Sequence, residues 1–105
     1  MRMLFDQGTP VPLRMFLAEH IVDTAYERGW SQVKDSELLK AAEIADYQLS
    51  VTTDQNLKYK QDLRQRRLAI LVLSTTSWRQ FKTHAAEIAE IINEIQVADY
   101  REFRI

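Results

Sequence analysis

Residues Leu68–Leu73 read LAILVL, an apolar run that no charged or polar side chain interrupts. A strand with one face in water alternates apolar and polar residues, whereas a strand that helices cover on both faces does not. The stretch therefore predicts a central strand of a parallel sheet with helices packed on both sides. The segments on either side of it are consistent with that fold.

The segment after this strand predicts a helix and then an edge strand. Ser77 and Gln80 fit a capping box at the start of the helix. A continuous apolar stripe at helical spacing follows, and it is formed by Trp78, Phe81, Ala85, Ile88, Ile92 and Ile95. Tyr100–Ile105 predicts the edge strand, with poor alternation of apolar and polar residues.

The segments before the central strand show the same alternation. Leu49–Thr53 predicts a strand, and Asp35 begins a helix whose apolar residues recur at spacings of three and four. Nearer the N-terminus, the sequence predicts strands at Met3–Phe5 and His20–Thr24, with a first helix at Val11–Leu17 between them. Alternating strands and helices imply right-handed crossovers and a parallel sheet. We therefore expect one α/β domain over residues 1–105, with a mainly parallel sheet between two layers of helices.

The composition is that of one folded domain with balanced charge. Of the 105 residues, 46% are hydrophobic and two are glycine, so the chain can bury enough apolar surface to fold and lacks a glycine-rich phosphate loop. Its 14 Lys and Arg residues face 15 Asp and Glu residues, for a net charge of −1. This balance excludes a protein that coats nucleic acid through bulk positive charge, so contact with nucleic acid requires a local basic patch.

The chain contains no cysteine, which removes disulfides, thiolate metal sites and thiol nucleophiles together and is typical of a reducing compartment. Asp6 comes too early for the apolar region of a signal peptide. No apolar run approaches the roughly 20 residues of a membrane span. We therefore expect a cytoplasmic protein with no contact to a membrane.

Three aspartates form the most informative candidate site. Asp6 and Asp54 each follow a predicted strand, and Asp35 opens the helix that leads into the second of these strands. Ligands of such folds bind beyond the carboxyl ends of the strands, and converging carboxylates suit Mg²⁺ or Mn²⁺. Each acid also has a purely structural interpretation: Asp6 as an acceptor for loop amides, Asp35 as a helix N-cap, and Asp54 in an Asx-turn over Asn56.

The sequence around these acids resembles that of a PIN domain. Asp35–Ala42 (DSELLKAA) and Leu49–Leu57 (LSVTTDQNL) are similar to its second half, in which an acid opens a helix rich in small residues and a strand ends in Thr-x-Asp-x-x-Phe. Leu4–Asp6 resembles the first PIN strand. Further stretches resemble a group of small, stand-alone PIN-like proteins of unknown function; they are Asp6–Gly8, Thr24–Trp30 and Leu73–Thr75.

The resemblance implies a metal-dependent ribonuclease, often the toxin of a toxin–antitoxin pair and often a homodimer. It also implies a PIN-like fold. The first, third and fourth acids of the family pattern match Asp6, Asp35 and Asp54. The second acid, normally a Glu on an intervening helix, has no clear match; Glu37 is one candidate and Glu27 a more distant one. Leu57 stands where the family has Phe.

A run of basic residues follows the Asp54 loop, interrupted by Asp62. It consists of Lys58, Lys60, Arg64, Arg66 and Arg67. Beside a carboxylate site, such residues can hold the phosphates of RNA. The alternative interpretation is a solvated loop, which is the usual role of a charge run.

The sequence therefore predicts a Mg²⁺- or Mn²⁺-dependent endoribonuclease that acts on RNA, with an antitoxin protein as a possible partner. The alternative is a catalytically degenerate PIN-like module that binds RNA or a protein partner, and the unmatched second acid motivates it. A phosphoacceptor receiver domain has a similar clustering of acids. It fits less well, because Gln7 and Gly8 follow Asp6 where a second acid is expected and Arg101 replaces a lysine.

Overall fold

A five-stranded, all-parallel sheet is the centre of the structure, a computed structural model that describes residues 1–60 and 66–105 except the side chains of Asp35 and Lys60. The strands are β1 (Arg2–Phe5), β2 (Ile21–Thr24), β3 (Leu49–Thr52), β4 (Ala69–Leu73) and β5 (Tyr100–Phe103). Their order is β2-β1-β3-β4-β5. This order is found in flavodoxin-like sheets, whose direction of winding reverses between β1 and β3.

Helices connect the strands. They are α1 (Asp35–Ile44), α2 (Leu57–Lys60), α3 (Trp78–Phe81) and α4 (Ala85–Glu94), with 3₁₀ helices at Val11–Phe16 and Lys82–His84. In the described ranges, no helix is long and apolar enough to cross a membrane.

Two apolar cores lie on opposite faces of the sheet, which gives the three layers that the sequence predicts. On one face, Phe5 and Leu71 pack with Ile88 of α4, and Leu13 of the first 3₁₀ helix joins them. The opposite core contains Leu4, Leu38, Leu39, Leu57, Ile70 and Val72, and so includes residues of α1 and α2. Every residue of β4 is buried, because helices cover both of its faces and β3 and β5 its two edges. The prediction of a central strand from LAILVL is confirmed.

The helix predicted at Val11–Leu17 is a 3₁₀ helix at Val11–Phe16. Pro10 holds its N-cap position and Pro12 lies in its first turn. Proline has no backbone N–H to donate. A short 3₁₀ helix therefore loses fewer backbone hydrogen bonds at this position than a long α-helix would. α2 is a further helix that the sequence did not predict.

The long final helix predicted from the apolar stripe is interrupted. α3 ends at Phe81, and the 3₁₀ turn Lys82–His84 joins it to α4. Residues three apart are aligned in a 3₁₀ turn, so Phe81 and His84 both reach Phe103, at ring-centroid distances of 6.3 and 5.8 Å. The capping box is also wrong, since the Ser77 side chain makes no capping bond.

Candidate functional site at the carboxyl edge of the sheet

One buried hydroxyl links the acids that follow β1 and β3. Thr52 is 3% exposed, and its Oγ1 donates a hydrogen bond of 2.8 Å to Asp6 Oδ2. The same Oγ1 accepts a 3.1 Å hydrogen bond from the backbone N–H of Asp54. Because β1 and β3 are neighbours in the sheet, Asp6 and Asp54 both lie at the switch point where the winding reverses.

Loop amides also bind both carboxylates. Asp6 Oδ1 accepts a 2.7 Å bond from the N–H of Gln7, and Asp54 Oδ1 accepts a 3.0 Å bond from the N–H of Asn56, which closes the Asx-turn. Asp6 therefore accepts from a loop amide and Asp54 forms an Asx-turn, as their structural interpretations predict. They do not compete with a ligand role, because carboxylates that bind metals are normally held by hydrogen bonds as well.

The loops at this edge are tied to one another. The Oγ1 of Thr9 donates a 2.9 Å bond to the carbonyl of Val51. The Nε2 of Gln55 donates to the carbonyls of Thr53 and Leu73, so it connects the ends of β3 and β4. These bonds fix the backbone on both sides of Asp54.

Gly8 lets the loop after β1 approach the loop after β3. Its φ is +94°, and a Cβ built there would stand 3.0 Å from Thr53 Oγ1 and 3.5 Å from Thr76 Cγ2. Glycine adopts this φ without strain and has no Cβ to place in that space. A side chain at position 8 would push apart the two loops that carry Asp6 and Asp54.

Asp35 and Glu37 belong to the first turn of α1. α1 runs from the end of β2 to the start of β3, so it begins near the carboxyl edge of the sheet. Lys34, rather than Asp35, occupies the N-cap position. Glu37 is exposed. The side chain of Asp35 lies outside what the structure describes, so its predicted role stays a prediction.

The donor set at this edge fits a hard divalent cation. The oxygens of Asp6 and Asp54 are of the type that Mg²⁺ and Mn²⁺ prefer. Among the described side chains, no group of three or more His, Cys, Asp or Glu residues could hold a metal ion. The third acid that the resemblance implies, Asp35, has its side chain outside the described part of the chain.

Glu27, the more distant candidate for the second acid, has a well-defined environment. Its Oε1 accepts a 2.9 Å bond from the N–H of Thr24, while its own N–H donates 3.0 Å to Thr24 Oγ1. Arg14 Nη1 lies 2.8 Å from the same Oε1. The Thr24 amide and the Arg14 guanidinium together hold the pKa of Glu27 below its usual range. The spacing Thr-x-x-Glu, the pattern of a capping box, is the sequence signal that could have found this arrangement.

A cavity of about 420 Å³ connects Glu27 with the candidate site. Asp6 and Glu27 both line it, and Arg14 and Tyr26 also contribute. A larger cavity, of about 650 Å³, includes Gln48 and Leu68 in its lining. These residues precede β3 and β4, so the larger cavity lies at the opposite, amino edge of the sheet.

The basic run does not form one patch beside the acids. Lys58, in α2, has its Nζ 3.4 Å from Glu102 Oε2. Arg66 Nη1 instead binds Glu43 Oε1 near the end of α1, and Arg67 lines the cavity at the amino edge. Arg66 and Arg67 therefore do not lie next to the carboxylates, and their predicted contact with RNA stays a prediction. The reason for their position is that β3 and β4 are parallel. The chain must therefore return from the carboxyl edge, where β3 ends, to the amino edge, where β4 begins.

Two other residues of the basic run, the side chain of Lys60 and the whole of Arg64, lie outside the described residues. Their predicted contact with RNA stays a prediction.

The arrangement at the carboxyl edge places Asp6 and Asp54 after neighbouring strands, with Asp6 in the lining of an open cavity. Ligands of doubly wound sheets bind at this position. Comparisons with protein-family models, with curated proteins and with solved structures found no match for this chain.

Proposed function

We propose that this protein is a Mg²⁺- or Mn²⁺-dependent endoribonuclease of the PIN-like type. The observation that carries the proposal is the Thr52 hydroxyl, which binds Asp6 and the Asp54 backbone and so holds two acids at the switch point. One of these acids, Asp6, lines a cavity that is open to substrate, and a metal held by such carboxylates would activate water for phosphodiester hydrolysis.

In this proposal Asp6, Asp35 and Asp54 hold the metal, and Glu37 is the candidate for a fourth acid. When bound, the metal supplies an activated water and stabilises the charge on the phosphate. Thr52 orients the Asp6 carboxylate, and the amides of Gln7 and Asn56 restrain the two acids. Held in this way, the carboxylates lose little conformational freedom when a cation binds.

A second candidate is a PIN-like module that binds RNA or a protein partner without cleaving anything. The hydrogen bonds of Glu27 favour this candidate, because Arg14 and the Thr24 amide already bind its carboxylate. For Glu27 to serve as the second acid of the PIN pattern, it would have to break these hydrogen bonds. Otherwise Glu37 would have to serve.

The proposal includes the partners that the resemblance implies. These are an RNA substrate, an antitoxin protein and a second copy of the chain, all in the cytoplasm. Exposed apolar side chains on the 3₁₀ helix Val11–Phe16 support a protein contact there, since Val11, Met15 and Phe16 are all exposed.

Thermal unfolding with and without Mn²⁺, together with cleavage of mixed single-stranded RNA, tests the proposal. The wild-type protein should cleave RNA only with metal, and Mn²⁺ should raise its melting temperature. Asp54→Asn retains an acceptor for the Asn56 amide and removes one of the clustered negative charges, so the metal-free variant should be about as stable as the wild type. It should lose both the cleavage and the Mn²⁺ response, as should Asp6→Asn.

Asp46→Asn is the matched control. Asp46 is exposed, adjoins the amino-edge cavity and has a φ of 64°, which asparagine tolerates. This variant should behave as the wild type. If Mn²⁺ stabilisation persists in both Asp6→Asn and Asp54→Asn, the metal site is refuted. A metal response without cleavage favours the binding module.

A further inference from the structure

The cavity of about 420 Å³ between the ends of β1 and β2 has the size of a site for a small planar ligand. Its apolar lining comes from Phe5, Val11 and Ala25, and its polar lining includes Arg14 and Glu27. Asp6 lines one part of it, so the cavity continues the candidate metal site. A ligand held here would present its remaining atoms to Asp6.

The charged pair in the cavity offers donors and acceptors side by side. Arg14 Nη1 donates 2.8 Å to Glu27 Oε1 and 3.3 Å to the carbonyl of Val22. Glu27 Oε1 also accepts the Thr24 amide, whereas no hydrogen bond within the described ranges reaches Glu27 Oε2. The two side chains are 37% and 47% exposed, so a ligand can reach both.

Tyr26 supplies a ring at the same cavity. It lies between Ala25 and Glu27, contributes to the lining and is 77% exposed. An exposed aromatic ring beside an apolar surface is what single-stranded nucleic-acid binders use to stack a base.

We propose that this cavity binds a guanine base of single-stranded RNA, with Tyr26 stacking on it, Glu27 accepting from its N–H groups and Arg14 donating to its O6. The inference rests on the proposed function, since it assigns the base that would lie beside the proposed cleavage site at Asp6. Glutamate only accepts hydrogen bonds and arginine only donates them. Guanine fits this pair because its pairing edge carries the O6 acceptor next to two donors, N1–H and the N2 amino group.

The other bases fit the pair less well. Adenine and cytosine each set one amino donor beside a bare ring nitrogen, which cannot donate to Glu27. Uracil has one N–H between two carbonyl oxygens, so a carboxylate that reaches this donor also meets an acceptor. Guanine should therefore be preferred over all three.

Titration of the four nucleoside 5′-monophosphates into the metal-free protein, followed by calorimetry, tests the inference. Guanosine monophosphate should bind about tenfold more tightly than the others, because they lack one of the hydrogen bonds to a charged side chain that guanine makes. Tyr26→Ala should weaken binding about tenfold or more. Glu27→Gln keeps the shape and should abolish most of the preference for guanosine monophosphate.

Tyr59→Ala is the matched control, since Tyr59 has the same 77% exposure and is not among the residues that line the cavity. This variant should bind guanosine monophosphate as the wild type does. Equal binding of all four nucleotides, no saturable binding, or a loss in Tyr59→Ala but not in Tyr26→Ala would overturn the inference.

The outcomes separate this inference from the proposed function. Metal-dependent RNA cleavage with no preference for guanine, unchanged in Tyr26→Ala, refutes the base site and leaves the ribonuclease. Selective binding of guanosine monophosphate by a protein that cleaves no RNA supports the base site and refutes the ribonuclease.

Discussion

At the scale of single residues, the loss of the Thr52 hydroxyl should lower both the stability of the fold and its response to metal. Thr52→Val keeps the shape of a buried strand residue and removes the hydroxyl that binds Asp6 and the Asp54 amide. Two lost hydrogen bonds should lower the free energy of unfolding by about 1–2 kcal/mol, and Mn²⁺ should raise the melting temperature less than in the wild type. Urea unfolding and thermal melts measure both effects.

Thr52→Ser is the control, because it retains the hydroxyl at the same position. If Thr52→Val and Thr52→Ser respond equally to Mn²⁺, the hydroxyl does not organise the site.

Glu27 should make stability depend on pH in the acid range. The Thr24 amide and Arg14 lower its pKa in the folded state, so the unfolded chain takes up a proton first as the pH falls. The stabilisation is complete above the usual glutamate pKa of about 4.3 and is lost as the pH falls from there through the lower folded pKa. Glu27→Gln should therefore be less stable than the wild type at pH 7, and the difference should shrink towards pH ~3. Urea midpoints across this range measure it, and a constant difference contradicts the assignment.

At the scale of elements, the Arg66–Glu43 ion pair joins the segment before β4 to α1. Both side chains are mostly buried, with exposures of 20% and 29%. We expect Arg66→Gln and Glu43→Gln each to lower the free energy of unfolding by about 1 kcal/mol or more, and the double variant to lose less than the sum of the two. The salt dependence of RNA binding should not change in Arg66→Gln. Additive losses, or a smaller salt slope, would restore the earlier interpretation of Arg66 as a phosphate contact.

The sequence predicts those elements whose pattern is local. LAILVL identifies β4, and the spacing of apolar residues identifies α1 from Asp35 onwards. The break at Lys82–His84 could not be predicted in this way, because Phe103, which packs against Phe81 and His84, lies in a different strand.

The same limit applies to the site. Asp6 and Asp54 could be predicted to lie at the same edge of the sheet, since both follow strands that run in parallel. The role of Thr52 between them depends on β1 and β3 being adjacent, which the sequence pattern does not specify. Arg66 and Arg67 lie away from the carboxylates, because closeness in sequence to Asp54 does not determine which edge of the sheet a residue reaches.

At the scale of the whole molecule, the strand order is compatible with more than one function. The order β2-β1-β3-β4-β5 is shared by the receiver fold, so the sheet alone does not distinguish a nuclease from a phosphoacceptor. The residues at the carboxyl edge depart from the receiver pattern, because Gln7 and Gly8 follow Asp6 where a second acid is expected. We expect no labelling by a small phosphodonor such as acetyl phosphate, and a stable label on Asp6 would contradict the proposed function.

The exposed apolar side chains of the 3₁₀ helix Val11–Phe16 should form the contact between two copies of the chain. Met15 is 81% exposed, and Phe16 packs on Trp78 at a ring-centroid distance of 5.9 Å, so a partner would cover a continuous apolar surface. Light scattering at tens of micromolar should give the mass of a dimer, and Met15→Lys should give a monomer. Ile44→Lys is the control, since Ile44 is similarly exposed and belongs to α1, which packs on the opposite face of the sheet. A monomeric wild type contradicts the prediction.

The pairing of β1 with β3 has a consequence for how the candidate site forms during folding. No two strands of the sheet are joined by a hairpin, and the pair that aligns Met3 with Leu49 spans the longest stretch of chain. Closing such a long loop costs more chain entropy than the other pairings do, and sheets made of distant pairings fold slowly. Any folding intermediate that lacks this pair leaves Asp6 and Asp54 apart. The candidate site therefore forms only once β1 and β3 have paired.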